Sequence, residues 1–225
     1  MTGPRYVYAV CRPFGTPLQS QLTGIGGAPP ALLRHRDLIA VVSTVPEADF
    51  GEEALQTHLE DVDWLAVTVR AHQGVIDALT TVTTPLPLRL GTVCPDDSAV
   101  RGMIETHGDD FRRVLDRLEG RVEWGVKLIL EPEPAESAPL AQAFARSLHE
   151  RLSRHAEASR LHAPRMPAPA VPPGRNLLDA AYLVSRAHSE EFVELVDRTR
   201  DEAPGVRVEL TGPWAAYSFT GEEAR

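Results

Sequence analysis

Few side chains in this 225-residue chain stand at a spacing that chemistry requires. The glycine run Gly24-Ile25-Gly26-Gly27 has the composition of a phosphate loop, but Pro29 and Pro30 follow it and no helix opens there, so the amide cradle of such loops is missing. The chain carries no GxSxG, HExxH or CxxC run. His149, His155 and His162 are expected along an arginine-rich helix, where no carboxylate or cysteine completes a metal set, and a solvated face accounts for them. His107 reads as a core or boundary histidine on a helix stripe. Asp61 and Asp63 point in different directions on a helix, and Glu52 and Glu53 fit the positive end of a helix dipole without a catalytic role. Cys11 and Cys94 are too few for a disulfide framework or a four-cysteine zinc site, and both are expected as buried, reduced thiols. These residues give no catalytic group, no metal site and no cofactor.

Composition narrows the class further. Twenty-three Lys and Arg against 32 Asp and Glu leave a formal net charge of -9, which would repel nucleic-acid phosphates. The chain is 43% hydrophobic, yet no apolar run reaches the ~18 residues of a membrane span. Its start, Met1-Thr2-Gly3-Pro4-Arg5, leads directly into a strand-like run, so the expected address is cytoplasmic. The charge is uneven. Glu47, Asp49, Glu52, Glu53, Glu60, Asp61 and Asp63 occur with no Lys or Arg among them, whereas Arg146, Arg151, Arg154, Arg160 and Arg165 outnumber Glu150 and Glu157 in the third long helix and its tail. Such patches can steer a partner, or stand as ordinary solvated faces.

Positioning these residues requires an alternation of strands and helices. Arg5 to Cys11 predicts a buried strand, and Leu32–His35 with Leu38–Val45 a hairpin turning at Arg36 and Asp37. The segment between them is read as a loop with one short strand near Leu22 to Ile25. A first long helix is expected from Glu52 to Leu79, with a stripe of Leu55, Leu59, Val62, Ala66, Val69, Gln73, Ile76 and Leu79. A strand over Leu86 to Val93 follows, then a helix on Val100, Ile104, His107, Phe111, Val114 and Leu118, closed by Gly120. Beyond it, Arg121 to Leu130 alternates as a strand, Leu140, Phe144, Leu148 and Leu152 mark the third helix, and the prolines from Pro164 to Pro173 form a connector. Leu177–Val184 and Val206–Leu210 read as strands around a helix from Ser189 to Arg200, and Thr211-Gly212-Pro213 as a turn before Trp214 to Phe219. The pattern predicts two α+β units, residues 1–119 and 120–225.

Five runs are specific when taken together: Trp64-Leu65-Ala66 with Arg70-Ala71-His72; Pro85-Leu86-Pro87-Leu88-Arg89-Leu90-Gly91; Glu123-Trp124-Gly125-Val126-Lys127; Asn176-Leu177-Leu178-Asp179-Ala180-Ala181-Tyr182; and Thr211-Gly212-Pro213-Trp214 with Tyr217-Ser218-Phe219. In this order the chain resembles the GvpL/GvpF family of gas vesicle accessory proteins, from Tyr6 to Phe219. The resemblance implies two α+β domains, the first a ferredoxin-like variant and the second carrying a long helical element. It also implies an assembly protein and not an enzyme: a cytoplasmic or minor vesicle component that binds the hydrophobic shell protein, prevents its aggregation during nucleation, and works with other gas vesicle accessory proteins.

Within those runs, Trp124, Trp214 and Tyr217 have the side-chain types of partner anchors, although each also alternates into a strand as a core residue would. Arg89 and Lys127 are cations in apolar strands and are expected to pair with carboxylates such as Glu123 or Asp179 at the domain interface. The competing class is a small-molecule-binding or enzymatic ferredoxin-like α+β protein, which a buried pocket with convergent titratable groups would favour.

Overall fold

In the computed structural model, residues 3–16, 18, 21–58, 60–131, 138–162, 174–200 and 202–221 are described. The chain is α+β and divides into two compact units, Met1–Glu119 and Gly120–Arg225. The proline-rich connector over 164–173 and Arg165 lie outside the described residues.

The first unit is organised by β1 (Arg5–Cys11), whose residues Tyr6 to Cys11 are all fully buried. It pairs antiparallel with β3 (Leu38–Thr44), which forms a hairpin with β2 (Ala31–His35). Arg36 takes a left-handed φ of 53° at the hairpin turn. On its other side β1 meets β4 (Leu86–Pro87) and β5 (Val93–Cys94). The order β2-β3-β1-β4, antiparallel throughout, is that of a ferredoxin-like sheet. The helix that would join its first two strands is replaced by a loop with one 3-10 turn, Ile25–Gly27, where a short strand is predicted. Tyr8 holds this loop: its hydroxyl accepts the Ile25 N–H at 2.7 Å and donates to Ser43 Oγ at 2.9 Å.

The predicted first helix, Glu52 to Leu79, is two helices, α2 (Glu52–His58) and α3 (Val62–Val82), preceded by the one-turn α1 (Glu47–Phe50). Asp61 starts α3 afresh, its carboxylate accepting the N–H groups of Asp63 and Trp64 at 3.0 and 3.2 Å. The new start rotates the expected stripe. Thr68, His72, Val75, Ile76 and Leu79 are buried, while Val62, at 77% exposure, and Val69 face solvent. A similar drift occurs on α4 (Asp97–Leu118), which buries Val100, Ile104, Gly108, Leu115 and Leu118 and leaves His107 exposed. Both α3 and α4 pack on β1. The predicted strand Leu86–Val93 is interrupted by a turn at Gly91, φ 80°, whose N–H reaches Tyr6 Oη at 3.2 Å. That turn puts Cys94 on the two-residue edge strand β5, so it is only half-buried, whereas Cys11 on the central strand is sealed and its thiol is pushed up to about 12 by burial.

The second unit is a four-stranded antiparallel sheet in the order β7-β8-β6-β9, from β6 (Arg121–Leu130), β7 (Ala158–Leu161), β8 (Arg175–Ser185) and β9 (Val206–Trp214). Gly120, φ 70°, ends the preceding helix. Helices α5 (Ala138–Arg154) and α6 (Ser189–Arg198) cover one face, over Val122, Trp124, Val126, Leu128, Tyr182 and Val184. On α5 the buried line is Ala141, Ala145, Leu148 and Leu152, and Leu140 is 77% exposed, one position off the predicted stripe. The helix stops at Arg154, so Arg160 belongs to an unpredicted edge strand and His162 follows it. Of the histidine trio, only His149 is on the helix, and His155 and His162 follow it. His149 meets the Tyr182 hydroxyl at 2.8 Å. The predicted turn at Thr211-Gly212-Pro213 is continuous strand, accommodated by a bulge opposite Glu123 to Gly125.

Candidate functional site

Strand alternation along β6 sends Trp124 into the helix-covered core and Glu123, Gly125 and Lys127 to the opposite, more open face. Trp124 is 8% exposed and donates from Nε1 to Ser189 Oγ at 3.2 Å, tying the sheet to the start of α6. On the open face the chain after β9 turns back as a short 3-10 segment, Tyr217–Phe219, and buries Ala215, Ala216 and Phe219.

Glu123 lies beneath that segment at 8% exposure, one carboxylate oxygen accepting the Ser218 N–H at 2.8 Å and the other the Ser218 hydroxyl at 2.7 Å. Burial pushes its pKa up, and the two Ser218 bonds together with the nearby His162 and Arg160 pull the other way. Lys127 sits between two acids in register, Asp179 on β8 and Glu209 on β9. Its Nζ is 3.3 Å from Asp179 Oδ2, and Glu209 pairs with Arg207. A cavity of about 280 Å³ opens over this row, lined by Glu123, Lys127, His162, Asp179, Glu209 and Trp214.

Two glycines allow β9 to approach. A Cβ on Gly125 would come within 2.6 Å of Thr211 Oγ1. Gly212 has φ +127°, and a Cβ there would lie 2.8 Å from the Glu123 carbonyl oxygen.

Of the residues singled out from sequence, the structure brings Lys127 and Trp214 into one cavity, with Tyr217 next to the Ser218 that covers Glu123. Trp214 is 39% exposed and so is not a core residue; it ends an edge strand, where no further strand among the described residues covers it. Tyr217 is half-buried on the 3-10 turn, not in a strand. Trp124 belongs to the other face. Arg89 lies in the first unit, exposed in the turn between β4 and β5, where its carbonyl accepts from Thr92. Sequence reasoning missed the role of Glu123, which it offered only as a partner for a cation. The arrangement commits each carboxylate to a neighbour in the same unit: Glu123 to Ser218, Asp179 to Lys127 and Glu209 to Arg207. Among the described residues, no three His, Cys, Asp or Glu side chains converge on a metal position, and no helix is long and apolar enough to cross a membrane.

The chain matches the family described as gas vesicle synthesis protein GvpL/GvpF over residues 4–142 and 135–221. It belongs to the GvpL/GvpF family. Gas vesicle protein L of Streptomyces sp. (strain CB03234) is 52% identical over 248 residues, covering 96% of this chain and 92% of that protein. Gas vesicle protein F of Haloferax mediterranei is 26% identical, over 90% of this chain and 87% of the relative. The fold is shared with the crystal structure of gas vesicle protein GvpF from Microcystis aeruginosa, at TM-score 0.74 and 18% identity, covering 98% of this chain and 100% of that one. GvpF from Anabaena sp. PCC7120 superimposes at TM-score 0.71 and 17% identity, covering 98% and 97%. Membership in the GvpL/GvpF family gives the protein a gas vesicle-related role.

Proposed function

We propose that this protein is a non-enzymatic gas vesicle assembly factor of the cytoplasm, a minor vesicle component that binds the small hydrophobic shell protein and keeps it from aggregating while a vesicle nucleates. The observation that carries this reading is the 52% identity to a gas vesicle protein L over 96% of the chain. The site agrees with it. The open face of the second unit holds paired charges and an exposed tryptophan, the composition of a contact surface, where Trp214 can anchor a partner and the Asp179–Lys127–Glu209 row can fix its register. Arg89, exposed on the first unit, is a second candidate contact for the shell protein or for other gas vesicle accessory proteins.

Co-expression of a tagged copy with the shell protein tests this. The shell protein is expected to co-purify and its soluble fraction to rise. If it neither co-purifies nor becomes more soluble, the proposed function is wrong.

A further inference from the structure

The first unit carries a surface that its own fold does not satisfy. Helix α2 buries none of its residues, and Leu55, its large apolar side chain, is only half covered. Beneath it a groove of about 390 Å³ runs between the α1–α2 stretch and the edge strand β5, with Phe50, Leu55, Val93 and Cys94 on its walls and Glu47 and Glu52 at its rim. Its volume lies within the range of clefts that take specific ligands. Phe50 is fixed from behind by Trp64, ring centroids 5.3 Å apart, so the groove wall is anchored to α3.

The charge on the α1–α2 side of this groove has one sign. Glu47, Glu52 and Glu53 are exposed, with Asp49 half-buried among them, and no Lys or Arg occurs from Glu47 to Asp63. Among the described residues none of these four acids takes part in an ion pair, whereas the acids facing β1, β2 and α4 are paired: Asp97 with Arg5, Asp37 with Arg12 and Arg112, and Glu105 with His35 and Arg36. An apolar trough with an uncompensated acidic rim selects an occupant that is apolar along one line and cationic on both sides of it.

We infer that the groove between α2 and β5 is a docking site for a partner protein's basic amphipathic segment, with aliphatic side chains in the trough and Lys or Arg against Glu47, Glu52 and Glu53. This rests on the assembly reading only for the partner's identity: within that reading it supplies a contact surface for a vesicle component.

The test uses the full chain and two synthetic 18-residue helices, one of Leu and Lys and one of Leu and Glu with the same apolar face. The basic peptide is expected to bind, the acidic one not. Glu47→Lys with Glu52→Lys should weaken binding at least tenfold, while Glu190→Lys with Glu191→Lys, equally exposed on α6, should change it less than twofold. Cys94 offers an independent readout, since Cys11 is fully buried: the basic peptide should slow its reaction with a thiol reagent at least tenfold. Equal weakening by both charge-reversal pairs, unchanged Cys94 reactivity, or equal binding of both peptides would overturn the inference. So would sedimentation showing that the Glu47/Glu52 pair breaks a self-association. Shell-protein capture that is equal for wild type and the groove variant removes the groove while leaving the assembly role; capture by neither removes the assembly role, and the peptide and thiol results alone then decide the groove.

Discussion

Ser218 caps both carboxylate oxygens of Glu123, 95 positions earlier in the chain, with its backbone N–H at 2.8 Å and its hydroxyl at 2.7 Å. This pairing joins the end of the described chain to the central strand of the second sheet. Glu123→Ala removes the acceptor and leaves the Ser218 N–H without it, at a cost of about 1–3 kcal/mol. Ser218→Ala removes one bond of the two and should cost less. Urea unfolding of both single variants and the double should show coupling, the double losing less than the two singles combined. Strict additivity would mean that the contact contributes nothing to stability.

Acid should weaken the first unit through His72. Its Nδ1 meets the Tyr6 hydroxyl at 2.9 Å, and burial lowers its pKa from 6.5 to about 4. The folded pKa is below the unfolded one, so the stability tied to neutral His72 is complete above the unfolded value and is lost as pH falls from about 6.5 toward about 4. The loss should be on the order of 3 kcal/mol. A His72→Gln variant should show a flatter profile across that window in pH-dependent denaturation. An unchanged slope would contradict the assignment.

Tyr8 tests the loop that replaces a ferredoxin-like helix. Tyr8→Phe leaves Ser43 and the Ile25 N–H each short of a partner held at 2.9 and 2.7 Å, which should cost about 1–3 kcal/mol. Hydrogen exchange should accelerate at Ile25 well before the amides of β1. Protection at Ile25 equal to wild type would show that the loop is held by other contacts.

The Gly125 contact is a matter of space. Gly125→Ala places a methyl 2.6 Å from Thr211 Oγ1 and should destabilise the second unit by about 1–3 kcal/mol. Thr211→Ala in the same chain should restore much of the loss. Thermal melts of the single and double variants decide this, and a double variant no better than the single would place the strain elsewhere.

Much of the fold is legible from local pattern, because alternation and capping are local physics. The run Val122, Trp124, Val126, Leu128 shows which face of β6 is core, and Arg36-Asp37 between two apolar runs marks the hairpin. Where the pattern misled, a local competitor won: the Asp61 cap restarts a helix that periodicity alone continues, and a turn at Gly91 splits an apolar run into β4 and β5. Strand β7, Ala158-Ser159-Arg160-Leu161, has too little β-branched or aromatic character to announce itself and exists because β8 offers an edge. The site was the least legible part. Nothing near Glu123 in sequence points to Ser218, and nothing near Lys127 fixes a register that puts it between Asp179 and Glu209.

We propose that this protein keeps a hydrophobic shell subunit from aggregating. The most direct measurement is light scattering as denatured shell protein is diluted into buffer with this protein at equimolar amount, against an inert acidic protein of similar size. Scattering should fall several-fold with this protein alone, and the shell protein should elute with it in one soluble complex. Scattering equal to that in the inert control, with no complex, would contradict the account.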